Sequence, residues 1–167
     1  MKTCSFFGHR NTVATSELCE ELRRTVIRLI EGKGVKCFLF GSASRFDELC
    51  LKIVTEIKEE YPEIKRIYVR SQYPYIEKGY KEYLLKSYDD TLMPKRLENA
   101  GKASYVERNQ EMINASDFCV FYYDEEYKPP VKKQSRGAIS ACQPKSGTKL
   151  AYEYAKQKKK EIINLFR

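Results

Sequence analysis

Five short apolar runs, with amphipathic stripes between them, constrain this chain more than any other feature. Lys2–Phe7, Val35–Phe40, Ile64–Val69, Asp117–Tyr123 and Glu161–Leu165 read as buried strands. Between the first two, Leu18, Leu22, Val26, Leu29 and Ile30 recur at helical spacing, with Ser16 as the expected cap and Gly32 and Gly34 as the stop. Phe46, Leu49, Cys50, Ile53, Val54 and Ile57 form the stripe of a second helix that stops before Pro62. Residues 104–115 and Gly147–Lys160 read as two more helices, the latter with Leu150, Ala151, Tyr154 and Ala155 inward. Residues 71–102 read as a loop, a short helix near 77–87 and another loop. Strands alternating with helices predict right-handed βαβ crossovers. The expected fold is α/β: a Rossmann-like, doubly wound, mostly parallel sheet of about five strands with helices on both faces.

At 167 residues the chain is read as a single domain. A core of this size needs no disulfide or metal staple. With 42% hydrophobic and 13% aromatic residues, it is not a disordered chain. No apolar run approaches the roughly 18 residues that span a bilayer, and Met1–Phe7 is too short for a signal peptide, so the expected location is cytoplasmic with no membrane partner. The six cysteines contain no Cys-x-x-Cys pair. Cys4, Cys19, Cys37, Cys50 and Cys119 fall on apolar runs or faces and read as buried thiols, whereas Cys142 lies in a polar loop. With one histidine besides, neither a transition-metal site nor a cofactor is expected.

The net charge is +8, and it is unevenly placed. Residues 127–167 carry 11 basic and 2 acidic side chains, and the rest of the chain is close to neutral. The run at 156–160 reads as a solvated helix end. The basic loop at about 124–145 is longer than structureless loops usually are, and its 128–145 part is a candidate nucleic-acid contact. The tyrosines and lysines of 73–88 could stack bases, but they read better as amphipathic cover for a sheet edge.

In doubly wound sheets, ligands bind beyond the carboxyl ends of the strands. The unusual residues of this chain follow strands. Strand one runs into Gly8-His9-Arg10 and strand two into Gly41-Ser42-Ala43-Ser44-Arg45-Phe46-Asp47, while Ser146-Gly147-Thr148 opens the last helix. Gly41 and Gly147 let backbone approach a ligand, and helix-start N–H groups bind phosphate. Ser42, Ser146 and Thr148 add hydroxyl donors, and Arg10 and Arg108 can grip a phosphate with two bonds each. Asp47 can accept from ribose hydroxyls or cap its helix. His9 can act as acid or base, though a hydrogen-bonded turn histidine is the better reading.

Phe7-Gly8-His9-Arg10, Phe40-Gly41-Ser42, Asp47, Arg108-Asn109-Gln110-Glu111-Met112, Ser116-Asp117 and Ser146-Gly147-Thr148 together resemble the SLOG superfamily, and within it the YpsA-like branch of bacterial proteins. The resemblance covers nearly the whole chain. It implies a Rossmann-like domain that binds nucleotides or nucleotide-derived ligands. It thereby adds Gly8 and Asn109 to the candidate ligand-binding residues. The superfamily includes the LOG enzymes, which are phosphoribohydrolases of nucleoside 5'-monophosphates, and the single-strand DNA binder DprA. LOG-type relatives often dimerise, so the resemblance also implies a homodimer. The LOG enzymes carry Gly-Gly-x-Gly-Thr-x-x-Glu with a catalytic glutamate. Here Ala151 stands at that position. Glu153 lies roughly 200° further round the helix and should not replace it. The expected function is therefore a sensor or carrier of a nucleotide-type ligand, with LOG-type hydrolysis and DprA-like DNA binding as alternatives.

Overall fold

A computed structural model describes residues 1–41, 44–71, 77–97, 103–129 and 145–167. Ser42, Cys142 and most of the basic loop lie outside them. The strands are β1 (Lys2–Gly8), β2 (Val35–Phe40), β3 (Lys65–Val69), β4 (Asp90–Leu92), β5 (Phe118–Tyr122) and β6 (Glu161–Asn164). The helices are α1 (Ser16–Lys33), α2 (Arg45–Lys58), α3 (Lys78–Leu84), α4 (Ser104–Ala115) and α5 (Gly147–Gln157), with a 3₁₀ turn at Lys95–Leu97. The sheet order is β4-β3-β2-β1-β5-β6, and every pairing is parallel.

The sheet is thus the Rossmann-like one expected, with six strands where about five were read. The added strand, β4, is three residues long and mostly exposed. It has no apolar run to announce it. Its evidence is in the backbone, where Ile67, Tyr68 and Val69 pair with Asp90, Thr91 and Leu92. The cap of α1 is also corrected by one residue. Thr15, extended at φ −75°, accepts the Leu18 N–H, and Ser16 is the first helical residue. Gly34 closes that helix in the left-handed region at φ 73°, a conformation that favours glycine.

Strand side chains alternate between two cores, as parallel sheets covered on both faces require. Cys4, Phe6, Phe38, Phe40, Phe118 and Val120 pack with the inner stripes of α1 and α2. Phe7, Cys37, Leu39, Cys119 and Phe121 pack with Met112 and Ile113 of α4 and Ala151 and Ala155 of α5. Cys4, Cys37, Cys50 and Cys119 are buried free thiols and Cys19 is half-buried. No helix among the described residues is long and apolar enough to cross a membrane.

Strand order reverses between β1, whose chain continues to β2 on one side, and β5 on the other. Loops leaving the two strands part there and open a crevice at the carboxyl rim. Because the crossover helices run antiparallel to the strands, α2, α4 and α5 all begin at that rim.

Candidate functional site

Two glycines set the floor of the rim, and both make room for protein side chains. A Cβ built on Gly8 would lie 2.3 Å from Phe46 Cγ and Cδ1. Gly8 therefore lets the first turn of α2 sit directly on the end of β1. A Cβ on Gly41 would lie 2.8 Å from both Arg108 Nε and Met112 Sδ. The space at the end of β2 is filled by the stem of Arg108, which reaches across from α4. Gly147 differs from both, since nothing lies within 4 Å of its hypothetical Cβ.

Arg108 is the unusual charge of this molecule. It is only 4% exposed. Its Nε and Nη2 approach Asn109 Oδ1 at 3.4 and 3.3 Å, and its guanidinium lies 5.4 Å from the centre of the Tyr105 ring. It forms no ion pair among the described residues. Glu111 pairs instead with Arg96 at 3.2 Å, and Asp117 accepts the Thr3 N–H at 2.9 Å. Burial pulls the Arg108 pKa down from its ordinary value, while Tyr68, Asp47 and Tyr105 favour the charge. A buried charge without a paired carboxylate is expensive unless a ligand supplies the partner.

Asp47 belongs to the same neighbourhood. It is 3% exposed in the first turn of α2. It is not the cap of that helix, because Ser44 Oγ takes that role and accepts the Asp47 N–H at 3.1 Å. The negative charge of Asp47 contributes to raising the pKa of both Tyr68 and Tyr88, whose first cause is burial. The rings of Tyr68 and Tyr88 lie 5.2 Å apart, and Tyr88 also meets Phe40 at 5.8 Å. Tyr68 and Tyr88 thus wall the rim beside Arg108. Tyr88 was read as sheet-edge cover and Tyr68 merely as a strand residue. The signal that could have found Tyr68 is its place at the end of β3, whereas Tyr88 precedes β4 and meets Tyr68 and Phe40 only through its ring. By contrast Tyr80 and Tyr83 are exposed, as sheet-edge cover would be.

His9 spans the crevice itself. Its Nε2 accepts the Asp124 N–H at 2.9 Å, tying the end of β1 to the chain leaving β5. Its ring stacks on Tyr127 at 4.1 Å and tilts against Tyr123 at 5.9 Å. With Nε2 accepting, the neutral ring carries its proton on Nδ1, which is buried and without a partner among the described residues. Burial lowers the His9 pKa, against the pull of Asp124. Arg10 is exposed, and its carbonyl accepts the Arg45 N–H at 3.2 Å.

At the start of α5, Ser146 Oγ caps the helix by accepting the Lys149 N–H at 3.0 Å, and Thr148 is buried. Ala151 is 3% exposed and packs in the core of α4 and α5. Glu153 stands on the outside of α5, with Lys145 Nζ at 3.1 Å. The structure thus brings Arg108, Gly41 and Asn109 together, with Asp47 facing them, and joins Gly8, His9 and Arg10 to the start of α2 and the exit of β5. Ser146, Gly147 and Thr148 form the mouth of α5. No cluster of histidine, cysteine or carboxylate side chains suited to a metal occurs among the described residues.

The model of the YspA SLOG family matches residues 5–154, from β1 to the middle of α5. The chain belongs to this family. A search of the curated proteins finds no match to it. The SLOG match encloses every candidate residue named above, from Gly8 to Thr148.

Proposed function

We propose that this SLOG domain is a cytoplasmic binding module for a nucleotide or nucleotide-derived ligand. The observation that carries the reading is Arg108, a buried guanidinium held at the carboxyl end of β2 with no carboxylate paired to it among the described residues. A phosphoryl group supplies the missing countercharge. Asp47, across the rim, suits the hydroxyls of a sugar, and the rings of Tyr68 and Tyr88 suit an aromatic base. Arg10, Asn109, Ser146, Gly147 and Thr148 complete the proposed ligand set, and Ser42 belongs to it from sequence alone.

Hydrolysis of the LOG type is less well supported. Ala151 fills the glutamate position and faces the core, where it can move no proton. Glu153 is engaged on the outer face of the helix. Asp47 and Glu107 are the carboxylates that could be recruited. DprA-like binding of single-stranded DNA would use the 128–145 loop, of which only residues 128, 129 and 145 are described. Homodimerisation belongs to the same proposal, with light scattering as its test.

The deciding experiment is mass spectrometry of the small molecule released when the purified protein is denatured. A nucleotide in near-stoichiometric amount supports the binding module, and Arg108→Ala should then arrive empty. Free base with ribose phosphate would revive the hydrolase. Undiminished retention of the nucleotide by Arg108→Ala would sink the assignment of the site.

A further inference from the structure

The helices that begin on the rim are not equivalent. The starts of α1, α2 and α5 are closed by their own chain, through Thr15, Ser44 and Ser146, whereas α3 and α4 have no side-chain cap bond. The N-cap position of α4 is Ala103, whose backbone is helical and whose side chain offers no capping bond. A second and independent observation lies one residue on. Ser104 is 1% exposed, and its Oγ has no hydrogen-bond partner among the described residues. Buried hydroxyls are nearly always satisfied, so an orphaned one asks for an explanation.

Arg108 follows Ser104 by four residues and shares its helix face. Cα–Cβ bonds tilt toward a helix N-terminus, so both side chains lean toward the start of α4. The positive end of the α4 dipole adds to the Arg108 charge at that point. The Ser104 hydroxyl and the Arg108 guanidinium are donors on one face at the start of α4, and among the described residues neither has a carboxylate partner. That set suits a tetrahedral dianion with acceptor oxygens on several sides.

We propose that the start of α4 is a phosphoryl subsite, in which the Ser104 hydroxyl donates to a phosphate monoester and Arg108 neutralises it. The proposal deepens the nucleotide reading and rests on it. It assigns Ser104 a role that neither composition nor motif suggested. It also places a phosphoryl group at α4, in addition to any held at the Ser146-Gly147-Thr148 mouth.

The test is calorimetric titration of the four common ribonucleoside 5'-monophosphates, their nucleosides and inorganic phosphate into wild type, Ser104→Ala, Ser104→Asp and Arg108→Gln. Wild type should bind at least one monophosphate well above its nucleoside. Ser104→Ala should lose about tenfold or more for the monophosphate, as expected for a hydrogen bond to a charged group, with nucleoside affinity unchanged. Ser104→Asp should lose monophosphate binding altogether. The free Ser104→Ala protein should be as stable as wild type or more so, because it removes an unsatisfied hydroxyl. A structural role for the hydroxyl predicts the reverse pattern. Equal monophosphate affinity in wild type and Ser104→Ala overturns the subsite and leaves the nucleotide reading standing. If no nucleotide binds wild type, the nucleotide reading fails and inorganic phosphate decides. Phosphate binding that Ser104→Asp abolishes keeps the subsite, and its absence from wild type overturns it.

Discussion

The close approaches at Gly8 and Gly147 make opposite predictions for the same substitution. Gly8→Ala drives a methyl group to within 2.5 Å of three carbons of Phe46, one of them its Cβ next to the α2 backbone. The ring cannot swing clear without moving the start of α2. Overpacking of this kind costs about 1–3 kcal/mol, read as a lower midpoint in urea unfolding at an unchanged slope. Gly147→Ala meets open space and needs no left-handed backbone. Its unfolding midpoint should not fall, so any lost ligand affinity is a loss at the site. Both glycines were legible as rim residues because both sit beside turns. What was not legible is that Gly8 serves a phenylalanine 38 positions away, a contact that exists only after the chain has folded.

His9 carries a second residue-scale prediction, and it is the only histidine in the chain. Burial holds its pKa below the ordinary 6.5, so the unfolded chain takes up the proton more readily than the folded one. Its contribution to stability is complete above about pH 6.5 and declines as the pH falls toward the folded-state value. Protonation also removes the acceptor that holds the Asp124 N–H. The charged group that faces the ring among the described residues is Asp124, which pulls the pKa up, and the rings of Tyr123 and Tyr127 pack against it. A single-histidine NMR titration should give a midpoint below 6.5 in the folded protein. In urea unfolding, His9→Asn should flatten the stability profile between about pH 5 and 7. A folded-state midpoint above the ordinary value would contradict this account.

At the scale of elements, the long helices and the five longer strands were readable because each carries enough apolar residues to fix its period. The boundaries shifted by one to three residues where capping, not periodicity, sets the end. Thr15 shows the difference. Ser16 and Thr15 are both sound caps in sequence, and only the extended backbone at Thr15 and its bond to Leu18 at 3.2 Å choose between them. Thr15→Ala should therefore cost about 1 kcal/mol of stability, and Ser16→Ala only a few tenths. Equal losses from the two substitutions, compared by thermal or urea unfolding, would put the cap back at Ser16. β4 escaped notice for a different reason. It is an edge strand of mixed polarity, fixed by Arg70 N–H to Leu92 O at 2.8 Å and Asp89 N–H to Arg66 O at 2.8 Å. The Asp89 carboxylate then holds the Arg66 guanidinium and backbone N–H, and those bonds draw its pKa below the usual range although burial works the other way. Such an element is held by backbone bonds and by the ion pairs of Asp89 with Arg66 and Lys58, and neither leaves a pattern in hydropathy.

The whole molecule poses the problem of a positive charge buried at a rim. Arg108 forms no ion pair among the described residues, although Asp47 favours its charge, and the free protein bears the cost of that burial. A ligand that pairs with it binds the folded state alone and stabilises it by mass action. At a concentration of one hundred times Kd the gain is about 2.7 kcal/mol, and for a chain of this size each kcal/mol raises Tm by about 2–4 °C. The correct nucleotide should therefore raise Tm by roughly 5–10 °C, a shift large enough to screen by thermal melting. Arg108→Gln separates the two halves of the argument. It shortens the side chain and keeps only an amide N–H donor near the Nε position, and it removes the buried charge. Without ligand it should melt at or above the wild-type temperature, since an unpaired charge has been relieved. With ligand it should gain little or nothing. A variant that melts well below wild type and still gains the full ligand shift would mean that Arg108 is a structural charge, satisfied by the fold and not by a phosphate.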